Sequence, residues 1–263
     1  MDLKINVIDA FTDELFKGNP AAVIITENWL ASDLMQSIAF ENNLSETAFV
    51  KKINNKEYAI RWFSPITEID FCGHATLAAS FVIFTNNSDV NKITFFAKAV
   101  GSLSVTKNNA GAIEMCFPNK KPKVVDEIPS GLLSGLSIKP VNVLLNDQAY
   151  FVVYEKEEDV LSVEHNSEQL KKLAPYDVVI TSRSKKYDFV SRYFWPVNGG
   201  DEDPVTGSIH TGLAPYWAEQ LNKRELVAYQ ASARGGKLMC LIKGDKVYIS
   251  GKAIQYLAGE ISV

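Results

Sequence analysis

The sequence is poor in the residues from which metal and disulfide scaffolds are built. Its 263 residues include three cysteines (Cys72, Cys116, Cys240) and three histidines (His74, His165, His210). The cysteines are odd in number and form no Cys-x-x-Cys pair, which argues against a disulfide framework or a zinc knuckle and fits a reducing cytoplasm. The histidines have no paired ligand spacing, so no structural or catalytic metal is expected. Long apolar runs are missing as well. The longest, around Ala75 to Phe84, falls far short of the roughly 20 residues that cross a bilayer. Met1 to Val7 alternates like a strand and lacks the apolar stretch of a secretory signal, so no membrane partner is expected. Neither sign of charge dominates: 27 Lys and Arg stand against 31 Asp and Glu, for a net charge of -4. With no basic block to follow a phosphate backbone, nucleic acid is set aside as a partner. There is no GxGxxG after a strand, no Gly-x-x-x-x-Gly-Lys-Ser/Thr and no GxSxG elbow. No cofactor is therefore expected, and the chemistry falls to side chains.

What remains is a globular composition, 46% hydrophobic and 22% charged, sufficient for one large core or two modest ones. Ile5 to Ile8 and Ala21 to Ile25 read as a hairpin around Gly18-Asn19-Pro20. A helix follows, with Ser32 placed to cap it, Leu34, Met35, Ile38 and Ala39 on one face, and Asn42-Asn43 at its end. Thr47 to Val50 and Tyr58 to Phe63 read as paired strands across Asn54-Asn55. Gly73 to Val82 reads as a helix apolar nearly all round, hence buried. Strands at Ile93 to Phe96, Gly101 to Thr106 and Ala112 to Phe117 lead to a connection at Pro118 to Pro122.

The second half repeats this outline. Strands are expected at Val141 to Leu145, Ala149 to Tyr154, Val178 to Thr181 and Phe189 to Phe194, with a helix near Ser167 to Leu173 between the second and third. Arg61-Trp62-Phe63-Ser64-Pro65 leads through an acidic loop to Cys72-Gly73-His74 and a helix. Arg192-Tyr193-Phe194-Trp195-Pro196 leads through Asp201-Glu202-Asp203 to Thr206-Gly207-Ser208 and a helix. The expected organisation is two pseudo-symmetric domains of α+β class. The first spans 1–117 and is joined by a returning C-terminal strand, 253–263; the second spans 123–252. Each is a strand-rich wall around one central helix, and the two helix starts are expected to face each other across a cleft.

A buried helix start offers free N–H groups and a positive dipole end, and a glycine there lets a carboxylate approach closely. Gly73 and Gly207 suit that use, or they only permit tight turns. Glu46 stands where a helix gives way to an apolar strand. It is either a partly desolvated carboxylate with a raised pKa, fit for moving a proton, or a solvated strand-edge residue. His74 either serves the same chemistry or is a core histidine bonded to a carbonyl. Asp203 is a second acid/base or a helix cap, and Cys72 a thiolate activated by the helix start or a buried thiol.

Five segments then occur in order: Ile8-Asp9-Ala10-Phe11-Thr12, Gly18-Asn19-Pro20-Ala21-Ala22-Val23, Leu44-Ser45-Glu46-Thr47-Ala48-Phe49, Phe71-Cys72-Gly73-His74-Ala75-Thr76 and Glu202-Asp203-Pro204-Val205-Thr206-Gly207-Ser208. With Gln230 to Gly236 near the end, they make the chain resemble the PhzF phenazine-biosynthesis-like family. The resemblance implies a diaminopimelate-epimerase-like fold, each domain a mostly antiparallel barrel around a helix, with the active site between domains. It implies a cofactor-independent isomerase like those acting on dihydro-hydroxyanthranilate, with Glu46 moving the proton and His74 and Asp203 assisting. Asn19, Ser45, Cys72, Gly73, Gly207 and Ser208 would contact a small anionic metabolite, and a homodimer is expected. The related epimerases use two cysteines, whereas here Cys72 has no counterpart in Asp203 to Gly207. A racemase or epimerase working through Cys72, and a non-catalytic small-molecule binder on the same fold, stand as alternatives.

Overall fold

Alternation of apolar residues drives the first strands together. The computed structural model describes residues 1–198 and 200–263, with Asn198 described by its backbone alone. The strand β1 (Asp2–Ala10) pairs antiparallel with β2 (Asn19–Thr26), Ile5 opposite Ile24 and Ala10 opposite Asn19. Gly18, at φ 69°, makes the turn possible. A Cβ there would lie 2.2 Å from the Ala10 carbonyl oxygen, so only glycine fits.

Helix α1 (Ser32–Asn42) buries Met35, Ile38 and Ala39 and ends at Asn43 in the left-handed conformation. Its N-cap is Ala31, and Ser32, expected as the cap, is already the first helical residue. The Ser32 hydroxyl instead accepts from Arg61. The chain continues through β3 (Glu46–Lys52), β4 (Glu57–Phe63) and the two-residue β5 (Glu68–Ile69) into α2 (Gly73–Asn86). Then follow β6 (Lys92–Ala97), β7 (Gly101–Lys107) and β8 (Ile113–Pro118). Eleven of the fourteen residues of α2 are buried, as its lack of a polar face requires.

The second half opens with β9 (Lys123–Val124), α3 (Ser130–Gly135), β10 (Asn142–Leu145) and β11 (Ala149–Val153). Next come α4 (Glu157–Ser162) and α5 (Ser167–Leu170), the latter capped by the Asn166 side chain and tightening into a 3₁₀ turn, Lys171–Leu173. Strands β12 (Asp177–Arg183), β13 (Phe189–Phe194) and β14 (Glu202–Asp203) precede α6 (His210–Leu221). The half ends with β15 (Glu225–Gln230), β16 (Gly236–Lys243) and β17 (Lys246–Gly251). The last strand, β18 (Ala253–Ser262), pairs antiparallel with β1 over its full length.

Two compact units result. One comprises Met1–Cys116 with Ser250–Val263, the other Phe117–Ile249. Their strand pairings follow one recipe. In the first, β2 runs parallel to β3, β3 antiparallel to β4, β4 antiparallel to β5 and parallel to β6, and β6 antiparallel to β7. In the second, β11, β12, β13, β14, β15 and β16 repeat those relations in the same order. Each parallel step brackets a helical segment, and α2 and α6 occupy the same place in the order. Helix α2 packs on β1, β2, β3 and β18, and α6 on β15 and β16. A core of Ile5, Ile24, Met35, Ile38, Phe49 and Phe63 lies under α1, and one including Leu132, Val152, Val160, Leu170, Ile180 and Phe194 under α3, α4 and α5.

The duplicated arginines show the same repetition in side chains. Arg61 grips Glu68 through Nε and Nη2, both at 2.6 Å, and lies over the Phe63 ring at 5.1 Å. Arg192 grips Glu202 at 2.8 and 2.9 Å and lies over Phe194, also at 5.1 Å. Each fork ties the short acidic strand back to its neighbour, just ahead of the segment that leads to the helix.

Candidate active site

Glu46 is the first residue of β3, whose partner β2 opens beside it. The strand Glu46 to Val50 is buried residue by residue, so the carboxylate is drawn in with its neighbours and is only 7% exposed. The solvated-edge reading fails for this reason. Across from it, the end of β5 delivers Cys72 as N-cap of α2 and His74 as its second residue.

The two side chains meet Glu46. His74 Nε2 lies 2.7 Å from Glu46 Oε2, an ion-pair contact between groups that are both almost fully covered. That Oε2 completes no well-aligned hydrogen bond among the described residues, which leaves a buried carboxylate oxygen able to take a proton. On the other side of the ring, Asn19 Nδ2 lies 3.1 Å from His74 Nδ1, and the Ser45 hydroxyl donates to Asn19 Oδ1 at 3.1 Å. Asn19 is the first residue of β2 and wholly buried. The contact turns the Nε2 edge of the ring toward Glu46. His74 is thus no core histidine parked on a carbonyl.

Cys72 Sγ stands 3.4 Å from His74 Nδ1 and 3.8 Å from Nε2 and accepts the Ala75 N–H at 3.4 Å. Burial and the nearby Glu46 charge push its pKa up to about 11, against the smaller pull of His74 and of the Ala75 N–H. The expected activation by the helix start is therefore outweighed, and the group is a thiol at neutral pH. For His74, burial disfavours the imidazolium, but the contacts with Cys72 and Glu46 prevail and hold its pKa well above the ordinary value.

Of the first four N–H groups of α2, that of Ala75 goes to Cys72 Sγ and that of Thr76 to the Cys72 carbonyl at 3.1 Å. Those of Gly73 and His74 find no acceptor among the described residues. Gly73 already has helical geometry and is not among the glycines at positive φ, which are Gly18, Gly101, Gly111, Gly235 and Gly244. Neither Gly73 nor Gly207 is at positive φ.

In the second unit the corresponding segment differs. Gly207, Ser208 and Ile209 form a turn closed by His210 N–H on the Gly207 carbonyl (3.1 Å) and Thr211 N–H on Ser208 (3.0 Å), and α6 starts only at His210. Asp203, on β14, is no helix cap: its carboxylate accepts the Thr206 hydroxyl. Gln230 fastens this segment. Its Oε1 accepts the Thr206 N–H at 2.9 Å, while its Nε2 donates to the Asp203 carbonyl at 2.8 Å and reaches Thr206 Oγ1 at 3.3 Å. Gln148 donates to Ser208 Oγ at 2.9 Å and to the Tyr193 hydroxyl at 3.1 Å, and that hydroxyl donates to Asp177 at 2.6 Å. The structure thus gathers Asn19, Ser45, Glu46, Cys72, Gly73 and His74 in one unit, and Asp203, Gly207 and Ser208 in the other.

Gln230 and Gln148 went unassigned by sequence reasoning. Gln230 carried a signal: Leu226 and Ala228 mark the inward face of β15, and a glutamine continuing that face needs buried partners.

A family model described as phenazine biosynthesis-like protein, PhzC-PhzF, matches residues 8–259. The chain belongs to the PhzC-PhzF family. It is 45% identical over 261 residues to an uncharacterized isomerase of Pseudomonas aeruginosa, and 42% identical over 265 residues to another from Halalkalibacterium halodurans, covering 99% of both chains in each case. These relatives bear the name isomerase, the class to which this PhzF protein also belongs. Among solved structures, a PhzF-family protein of Enterococcus faecalis matches over the whole of both chains at 41% identity, with a TM-score of 0.94. A hydroxyproline epimerase of Agrobacterium vitis, at 8% identity and a TM-score of 0.62, shares the fold alone. No helix among the described residues is long and apolar enough to cross a membrane.

Proposed function

We propose that this PhzF protein is a cofactor-independent isomerase that moves a proton on a small carboxylate-bearing metabolite, with Glu46 as general acid/base. The 2.7 Å contact between Glu46 Oε2 and His74 Nε2, both buried, carries the reading. A carboxylate placed against substrate can take a proton from one carbon and, once protonated, return it to another. His74 assists by keeping a mobile proton at Nε2, and Asp203 serves as the second acid/base. The uncommitted Gly73 and His74 N–H groups at the positive end of α2 suit an anionic substrate group. Asn19, Ser45, Cys72, Gly207 and Ser208 complete the proposed substrate contacts. A homodimer belongs to the same reading, supported by Tyr256 and Leu257 standing exposed on β18 near Phe16, and light scattering tests it. Free cysteines fit a cytoplasmic protein.

Turnover of candidate carboxylates in deuterated water is the test. Glu46→Gln is expected to abolish solvent-deuterium incorporation into product; unchanged incorporation would overturn the assignment. The second reading, a racemase or epimerase using Cys72, is favoured by the 3.4 Å approach of the sulfur to His74. It predicts the reverse pattern, exchange lost in Cys72→Ser and kept in Glu46→Gln. Calorimetry that finds binding without any turnover in the parent protein would leave only a binder on this fold.

A further inference from the structure

The strand repeat matches positions as well as pairings. Glu46 is the first residue of β3 and Asp177 the first of β12; Glu46 lies opposite Ala21 on β2 and Asp177 opposite Ala149 on β11, each across a parallel step. Both carboxylates are buried, at 7% and 8% exposure. Ser208 follows Gly207 as His74 follows Gly73. In the first unit the carboxylate and the residue after the glycine meet directly, at 2.7 Å. In the second unit Tyr193 and Gln148 join them instead.

The direction of each bond in this relay follows from its carboxylate end. An ionised carboxylate only accepts, so the Tyr193 hydroxyl gives its one proton to Asp177 Oδ2 at 2.6 Å. Burial, and then the Asp177 charge, hold the Tyr193 pKa well above the ordinary value, so the phenol keeps that proton. The Gln148 amide atom 3.1 Å from the Tyr193 oxygen must then be the –NH₂, since the carbonyl would meet a lone pair there. The second hydrogen of that –NH₂ goes to Ser208 Oγ at 2.9 Å. Gln148 is also held by its backbone, its N–H on Asn146 Oδ1 at 2.8 Å and its carbonyl under the Asp177 N–H at 3.2 Å. Ser208 Oγ therefore accepts from the relay, and its own proton has no acceptor among the described residues.

We propose that Asp177, Tyr193 and Gln148 are positioning residues that leave the Ser208 hydroxyl as a donor, and so favour a substrate that presents an acceptor oxygen there, such as its carboxylate. The proposal rests on the reading above that Ser208 touches substrate. Without the Tyr193 hydroxyl the amide is free to turn and set Oε1 against Ser208, where it takes the proton meant for substrate. The carboxylate at the Glu46 position of the second unit thus orients a hydrogen bond instead of moving a proton.

A neutron structure of the parent protein, crystallised from deuterated water without substrate, reads the relay directly. Deuterium is expected on the Gln148 nitrogen, facing both hydroxyl oxygens, and on Ser208 Oγ, pointing away from Gln148. A Ser208 deuterium lying between the two side chains overturns the proposal. The effect on function is read with the carboxylate found to turn over in deuterated water. Tyr193→Phe is expected to raise its KM roughly 10-fold with kcat little changed. In a Ser208→Ala background the same substitution should add nothing. An equal effect in both backgrounds would mean that Tyr193 acts on structure alone, and overturns the proposal. Gln148→Met, at a half-buried position, provides the same cycle should Tyr193→Phe not fold. Absence of turnover with every carboxylate would remove the Glu46 reading, while the neutron map, which needs no substrate, still decides the relay.

Discussion

Asn19 and His74, 55 residues apart in sequence, meet through Asn19 Nδ2 and His74 Nδ1 at 3.1 Å, in a place where neither reaches water. The contact sets which nitrogen of the ring faces Glu46. Replacing Asn19 with leucine keeps the branched shape and removes the side-chain hydrogen bonds to His74 and Ser45, leaving His74 Nδ1 and the Ser45 hydroxyl to find others. The expected cost is about 1–3 kcal/mol, read as a lower urea midpoint at unchanged slope.

The three cysteines should differ sharply in reactivity. With its pKa near 11, Cys72 has roughly one molecule in three thousand ionised at pH 7.5, and Cys240, pushed by burial to about 12, has fewer still. Cys116 is exposed. Alkylation of the native protein with iodoacetamide at that pH, followed by peptide mass spectrometry, should label Cys116 alone; rapid labelling of Cys72 would contradict its thiol state.

His210 provides a pH dependence unrelated to the site. Burial lowers its pKa to about 4, against the opposing bond to the Thr206 carbonyl, and its Nε2 has no partner among the described residues. The unfolded chain binds this proton near pH 6.5 and the folded chain only near 4. Stability from this residue is therefore complete above pH 6.5 and falls by about 3 kcal/mol as pH drops to 4. His210→Gln should flatten that part of the profile in denaturant titrations; an unchanged slope would mean the ring is not what titrates.

The two arginine forks should differ in worth despite their matching geometry. Arg61 and Glu68 are 25% and 43% exposed in their side chains, Arg192 and Glu202 14% and 20%, and Arg192 also donates to the Val160 and Val163 carbonyls. Arg61→Met is expected to cost under about 1 kcal/mol and Arg192→Met about 2–3 kcal/mol. Thermal denaturation of the two variants side by side measures the difference.

Much of the strand order was legible because inward and outward residues alternate and turns fall at Gly18-Asn19-Pro20 and Asn54-Asn55. The helix α2 was legible from Ala- and Leu-rich composition with no polar face. Elements whose partners lie far away were not. The expectation at Gly207 misjudged the start of α6 by three residues, since Thr206-Gly207-Ser208 reads locally like a helix start but closes a separate turn first. Strands β15 and β16 were missed, and α4 was passed over because Glu157, Glu158 and Asp159 look like a solvated loop although Val160 anchors the helix in a core. At the site, Glu46 and His74 could be nominated separately, but their contact depends on the pairing of β2 with β3 and the packing of α2 beneath both. Cys72 illustrates the limit most clearly: a helix start argues for a thiolate, while the burial and the Glu46 charge that reverse this are tertiary facts.

The antiparallel union of β1 with β18 has a consequence for how the protein is made. A ribosome releases the first strand long before the last, so throughout synthesis one hydrogen-bonding edge of β1 waits for a partner some 250 residues away. The second unit is contiguous in sequence and finishes before the first. The nascent chain thus exposes an adhesive strand edge beside the very unit that carries Glu46 and His74, and that unit is the last part to mature.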